Sequence, residues 1–141
     1  MLIPDFTIYR LALLEGDNLI YSSVEGGLRP LCDALGKFKG KSGLTLHDKI
    51  MGLAAARLTA RSGIVSDIFA LVTSLPAKEF LDETGIRLIA FDYVAHILTP
   101  DKSSICPFEL LAMSTSDPDV LLRKIRSIQD RQCLFHQTLT R

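Results

Sequence analysis

Cysteine is too sparse and too scattered in this chain for either of its usual structural uses. Cys32, Cys106 and Cys133 are odd in number and far apart, which argues against a secreted disulfide framework and against a metal-ligand cluster, and suits a reducing cytoplasm. An excess of charge of one sign is lacking too. Sixteen basic residues meet sixteen acidic ones, so no global field favours nucleic acid or an anionic membrane. No apolar run approaches the roughly 20 residues that a membrane helix needs. Met1 to Arg10 carries Asp5 and no basic stretch ahead of an apolar core, so no signal peptide is expected. There is no P-loop, dinucleotide fingerprint or nucleophile elbow. These absences leave a cytoplasmic protein with no nucleic-acid or membrane partner and no cofactor as the expectation.

What is present is apolar. At 141 residues, 48% of them hydrophobic, the chain is sized for a single domain over residues 1–141 with a substantial core. Thr7 to Leu14 and Leu19 to Ser23 flank Gly16-Asp17-Asn18, the pattern of a β-hairpin. Pro30 to Leu35 reads as a short helix closed by Gly36, and Lys37 to Lys41 as a solvated loop. Thr45 offers an N-cap for a helix from about Leu46 to Arg61, along which Gly52, Ala55, Ala56 and Thr59 form a narrow small-residue face suited to close packing. Asp67 to Thr73 and Ile86 to Val94 read as strands around a helix from Pro76 closed by Gly85, which predicts a parallel pair with a right-handed crossover. Cys106-Pro107 and Asp117-Pro118 start two further helices, the second running to about Ile128, and the tail from Arg131 shows no clear pattern.

Two places carry candidate chemistry. Asp48 and Lys49 fall in the first turn of the helix read from Leu46. Asp48 has capping-box spacing from Thr45, and Lys49 opposes the helix dipole unless it faces solvent or an anion. Cys106 and Glu109 open the later helix, where a cap-position thiol is acidified by the dipole and Glu109 has the same capping-box alternative. The bland reading of Cys106 is a small buried hydrophobe. His47 beside Asp48 lacks the spacing that directs two ligands to one metal, and His96 and His136 have no visible link to Cys106.

The succession Ile20-Tyr21-Ser22-Ser23, Gly27-Leu28-Arg29-Pro30-Leu31, Asp48-Lys49-Ile50-Met51-Gly52-Leu53-Ala54-Ala55-Ala56, Ala77 to Gly85 with Ile86, and Cys106-Pro107-Phe108-Glu109 resembles the prokaryotic family called domain of unknown function 1893. The resemblance implies an α/β, cytidine-deaminase-like fold, a three-layer α/β/α sandwich with a mixed sheet. In true deaminases the zinc site takes a His-x-Glu at one helix start and Pro-Cys-x-x-Cys at the next. Here His47-Asp48-Lys49 and Leu75-Pro76-Ala77-Lys78-Glu79 stand in those places, so the ligand set is missing and zinc-dependent deamination is not expected. The expectation is a zinc-independent pocket for a small anionic or nucleotide-like molecule, with Asp48, Lys49, Cys106 and Glu109 as its site residues. The rival expectation is a non-catalytic binding or assembly module that forms a homodimer.

Overall fold

The computed structural model describes the backbone of residues 2–139 and the side chains of residues 2–131. Cys133 and His136 lie outside the described side chains. Ten elements follow in the order β1 (Leu11–Glu15), β2 (Asn18–Ser23), α1 (Arg29–Lys37), β3 (Leu44–Met51), α2 (Leu53–Ser62), β4 (Val65–Ser74), α3 (Leu75–Asp82), β5 (Arg87–Val94), α4 (Pro107–Ser114) and α5 (Pro118–Leu139). The five strands make one mixed sheet in the order β2-β1-β3-β4-β5, an α/β architecture. β1 is antiparallel to both β2 and β3, while β3, β4 and β5 run parallel. The expected hairpin and crossover strands are therefore present.

One expected element is replaced. Leu44 to Met51 is a strand, not the first turns of a helix, and α2 begins only at Leu53. Leu44, Leu46 and Asp48 point to one face of the sheet, while Thr45 and His47 point to the other, the period of two that a strand imposes. Thr45 is thus a buried strand residue and caps nothing. Asp48 and Lys49 leave the helix start, and the capping-box reading of Asp48 falls with it. The run Ala54 to Ala56 is helical, but Gly52 marks where helix replaces strand. α5 also continues to Leu139, well past the expected end at Ile128.

The main core joins one face of the sheet to the helices. Leu11, Leu13, Leu44, Leu46, Ile68 and Ala70 meet Leu31 and Ala34 of α1, most of α2, Ala77 and Leu81 of α3, Ala112 of α4, and Leu121 and Ile125 of α5. α2 sits at the centre, touching α1, α3, α4 and α5, so nearly its whole circumference is buried. Small residues are what allow this, because Ala54, Ala55 and Ala56 let neighbouring backbones come close.

The opposite face of the sheet carries a smaller cluster. Tyr9, Ala12 and Leu14 pack there with Phe6, so the segment before β1 provides the cover. His47 lies fully buried beneath it, with Nδ1 2.7 Å from Tyr9 Oη and the ring edge-on to Phe69. Tyr9 Oη also accepts the Asp5 N–H at 3.3 Å, so the hydroxyl links His47 to the segment before β1. Burial holds His47 below its ordinary pKa, in the neutral form. The imidazole is therefore a core group.

Candidate functional site

Gly52 shows how the site is assembled. It is the N-cap residue of α2 and has no side chain to offer the helix. The cap comes instead from α4, where Glu109 Oε1 accepts the Leu53 N–H at 2.7 Å. The same oxygen accepts Ser74 Oγ at 3.0 Å, and Ser74 in turn caps α3 by accepting the Ala77 N–H. Glu109 Oε2 takes the Ile97 N–H. One carboxylate, 2% exposed, thereby ties together α2, the β4–α3 junction, the segment after β5 and α4.

Such a group is tolerable in a core because three donors and the positive end of α2 replace its hydration. A Cβ at position 52 would stand 3.0 Å from Ile97 Cγ1 and 3.4 Å from Glu109 Oε1, so the absence of a side chain there is what lets the clamp close. The capping-box reading of Glu109 is overturned. The Cys106 N–H, which that motif would engage, donates to Ile97 O at 2.8 Å.

Above this clamp lies a cavity of about 250 Å3. Asp48, Lys49, Cys106 and Glu109 all border it, so the two chain segments singled out in the sequence do meet. The rest of its wall comes from Arg10, Glu25, the Gly26-Gly27 turn, Ala54 and Ala55 at the start of α2, and the apolar Leu28, Ile97, Leu98 and Phe108. Helix geometry leaves the first-turn amides of Ala54 and Ala55 without intrahelical partners.

Asp48 is the group with unusual chemistry. Its ladder partners are Leu11 on β1 and Ala70 on β4, an apolar setting that penalises its charged form. Burial pushes its carboxyl from an ordinary 3.8 up to about 7, opposed by the Ile50 N–H and by the Arg10 guanidinium. The group therefore exchanges a proton near neutrality.

Lys49 is placed differently from its neighbour. It pairs with Arg10 at the edge of β1, its N–H donating to Arg10 O at 2.9 Å, and it borders the same cavity. Arg10 is the cation that faces Asp48, and sequence reading missed it. The only available signal was its position one residue ahead of β1. Cys106 stands at the N-cap of α4 as a half-buried free thiol.

A zinc ion does not suit these residues. The His47 ring lies on the far side of the sheet with Tyr9, and no cysteine occupies the start of α3. Among the described residues no group of three His, Cys, Asp or Glu side chains is placed to hold a metal. None of the described helices is long and apolar enough to cross a membrane.

A family model for TM1506, described as a domain of unknown function (DUF1893), matches residues 7–129. A crystal structure of a DUF1893 family protein from Thermotoga maritima is 28% identical, with a TM-score of 0.78 over 86% of this chain and 82% of that one. No curated protein matches the chain.

Proposed function

This chain belongs to the DUF1893 family, and on that footing we propose that it is a cytoplasmic protein that binds a small anionic or nucleotide-like molecule in the Asp48 cavity, without zinc, on a cytidine-deaminase-like scaffold. The observation that carries this reading is Asp48: an ionisable carboxyl titrating at about 7, on the wall of a cavity of about 250 Å3, with a guanidinium beside it. Groups so perturbed in a cleft are where proton-dependent binding and acid–base chemistry concentrate.

The roles follow from placement. Arg10 engages an anionic or carbonyl group together with Lys49, which borders the same cavity. Asp48 accepts or donates a proton on the ligand. Cys106 is a nucleophile or redox-sensitive contact at the rim, and Glu109 holds the wall rather than touching the ligand. The binding site is thus a hydrogen-bonding pocket with one switchable charge.

Calorimetric titration with nucleosides, their monophosphates and small dicarboxylates tests the reading. A ligand is expected whose affinity changes through pH 7 and is lost in Asp48→Asn and Arg10→Gln. A folded protein that binds none of them, with both variants indistinguishable from the parent, would sink it. Cys106 is expected to react with a maleimide faster than Cys32, and equal or slower labelling removes Cys106 from the site.

A second reading has its own observation. Leu71 on β4 and Ile89, Phe91 and Tyr93 on the edge strand β5 project from the face opposite the helices, and Phe91 is 60% exposed. Exposed apolar surface on an edge strand favours a homodimer. Light scattering on the parent and on Phe91→Lys separates the readings. A dimer that Phe91→Lys dissolves favours assembly, and a monomer in both removes this second reading.

A further inference from the structure

A second cavity, of about 460 Å3, lies between α1, α2 and α5 and shares no lining residue with the first. Its apolar surface comes from Leu35, Leu58 and Leu122, and its charged lining is dominated by Lys39, Arg61 and Arg126. Among the described residues, Asp119 is the one acidic residue in the lining, and its Oδ1 already accepts from Arg61 Nε at 2.6 Å. The whole chain has zero formal net charge, so this positive excess is local. The helix dipole accounts for Arg61, which stands in the last turn of α2. It also favours Lys39, whose N–H donates to Gly36 O just past the end of α1, but it does not account for Arg126, inside α5.

Cys32 on α1 borders the same space. Burial raises its thiol pKa, Arg126 pulls it down and Asp33 raises it again, so the Arg126 guanidinium lies close enough to act on the sulfur.

We infer that this cavity is a binding site for the oligophosphate group of a small molecule. The guanidinium fork of Arg126 takes phosphate oxygens in a bidentate pair, Arg61 offers the nitrogens that its bond to Asp119 leaves over, and Lys39 adds a mobile point charge. The leucines receive the organic part. A concave space between three helices suits a compact ligand, whereas a nucleic-acid backbone is recognised by a basic stripe along a surface.

The experiment is calorimetric titration of inorganic triphosphate into the full chain at low ionic strength. Saturable binding is expected, weakened at least about tenfold in the double variant Lys39→Gln with Arg126→Gln. It is expected to be unchanged in Lys78→Gln, whose ion pair with Asp82 is on α3. In a chain carrying Cys106→Ser and Cys133→Ser, triphosphate is expected to slow alkylation of Cys32, because it covers the sulfur and cancels the pull of Arg126. Absence of both saturable binding and protection overturns the inference. So does equal weakening by Lys78→Gln, or a single-stranded oligonucleotide that binds more tightly than triphosphate with a steep salt dependence.

Discussion

Two carboxylates border the same cavity and have opposite relations to the fold. Glu109 is closed in by Leu53 N–H, Ile97 N–H and Ser74 Oγ, and its charge is what those donors are organised around. Asp48 sits between Leu11 and Ala70, and burial works against its charge. The first is a structural acid and the second a strained one. Energy that a fold withholds from a side chain is commonly found where function needs it.

The largest effect is expected at the structural acid. Glu109→Ala leaves two buried donors and one part-buried donor without their acceptor, and a loss of about 3–5 kcal/mol in denaturant unfolding is expected. A loss under about 1 kcal/mol would mean that water replaces the carboxylate and that the clamp is not structural. Gly52→Ala tests the same clamp from its other side. Its backbone, at φ −88°, accepts any residue, so the expected cost of about 1–3 kcal/mol comes only from the crowding of Ile97 and Glu109.

Asp48→Asn is expected to move stability the other way. Between pH 3.8 and about 7 the folded chain keeps a proton that the unfolded chain has released, so Asp48 makes stability fall as pH rises through that window. The amide abolishes that slope, and the variant is expected to melt higher than the parent above pH 7 while losing ligand. A lower melting temperature at pH 8 would place Asp48 beside Glu109 as a structural acid and erase the contrast.

The smallest effect is expected on the far face of the sheet. Tyr9→Phe removes the hydroxyl that His47 Nδ1 meets, at an expected cost of about 1 kcal/mol. His47 also sets a second slope, of opposite sign. Below about pH 6.5 the unfolded chain takes up a proton that the buried imidazole resists, so stability falls as pH drops until the lowered folded value is passed. Melting curves of Asp48→Asn between pH 5 and 8 isolate this second slope.

The regular elements were largely legible in the sequence. Pro76, Pro107 and Pro118 mark helix starts through local chemistry, and α3, α4 and the start of α5 stand where those signals put them. β3 was not legible, because the alanines of α2 extend a helical pattern backward across Gly52 and the polar His47, Asp48 and Lys49 blur the strand alternation. His47 is buried for a reason invisible in its own neighbourhood, the Tyr9 hydroxyl 38 residues earlier. The site was legible only in part. Asp48, Lys49, Cys106 and Glu109 were singled out from the expected helix starts, but Arg10 and the partners of Glu109 come from other parts of the chain. Local spacing suggests a capping box at Glu109, whereas the Leu53 amide it holds is 56 residues away.

That separation bears on how the chain comes off the ribosome. The first turn of the central helix is made long before the residue that completes it, so a nascent chain ending before Glu109 carries an unfinished α2 start under a half-built wall. Folding of the parallel strands and closure of the pocket are thereby deferred to the emergence of α4, and a stalled or truncated chain is expected to be open to proteases at the Gly52 junction.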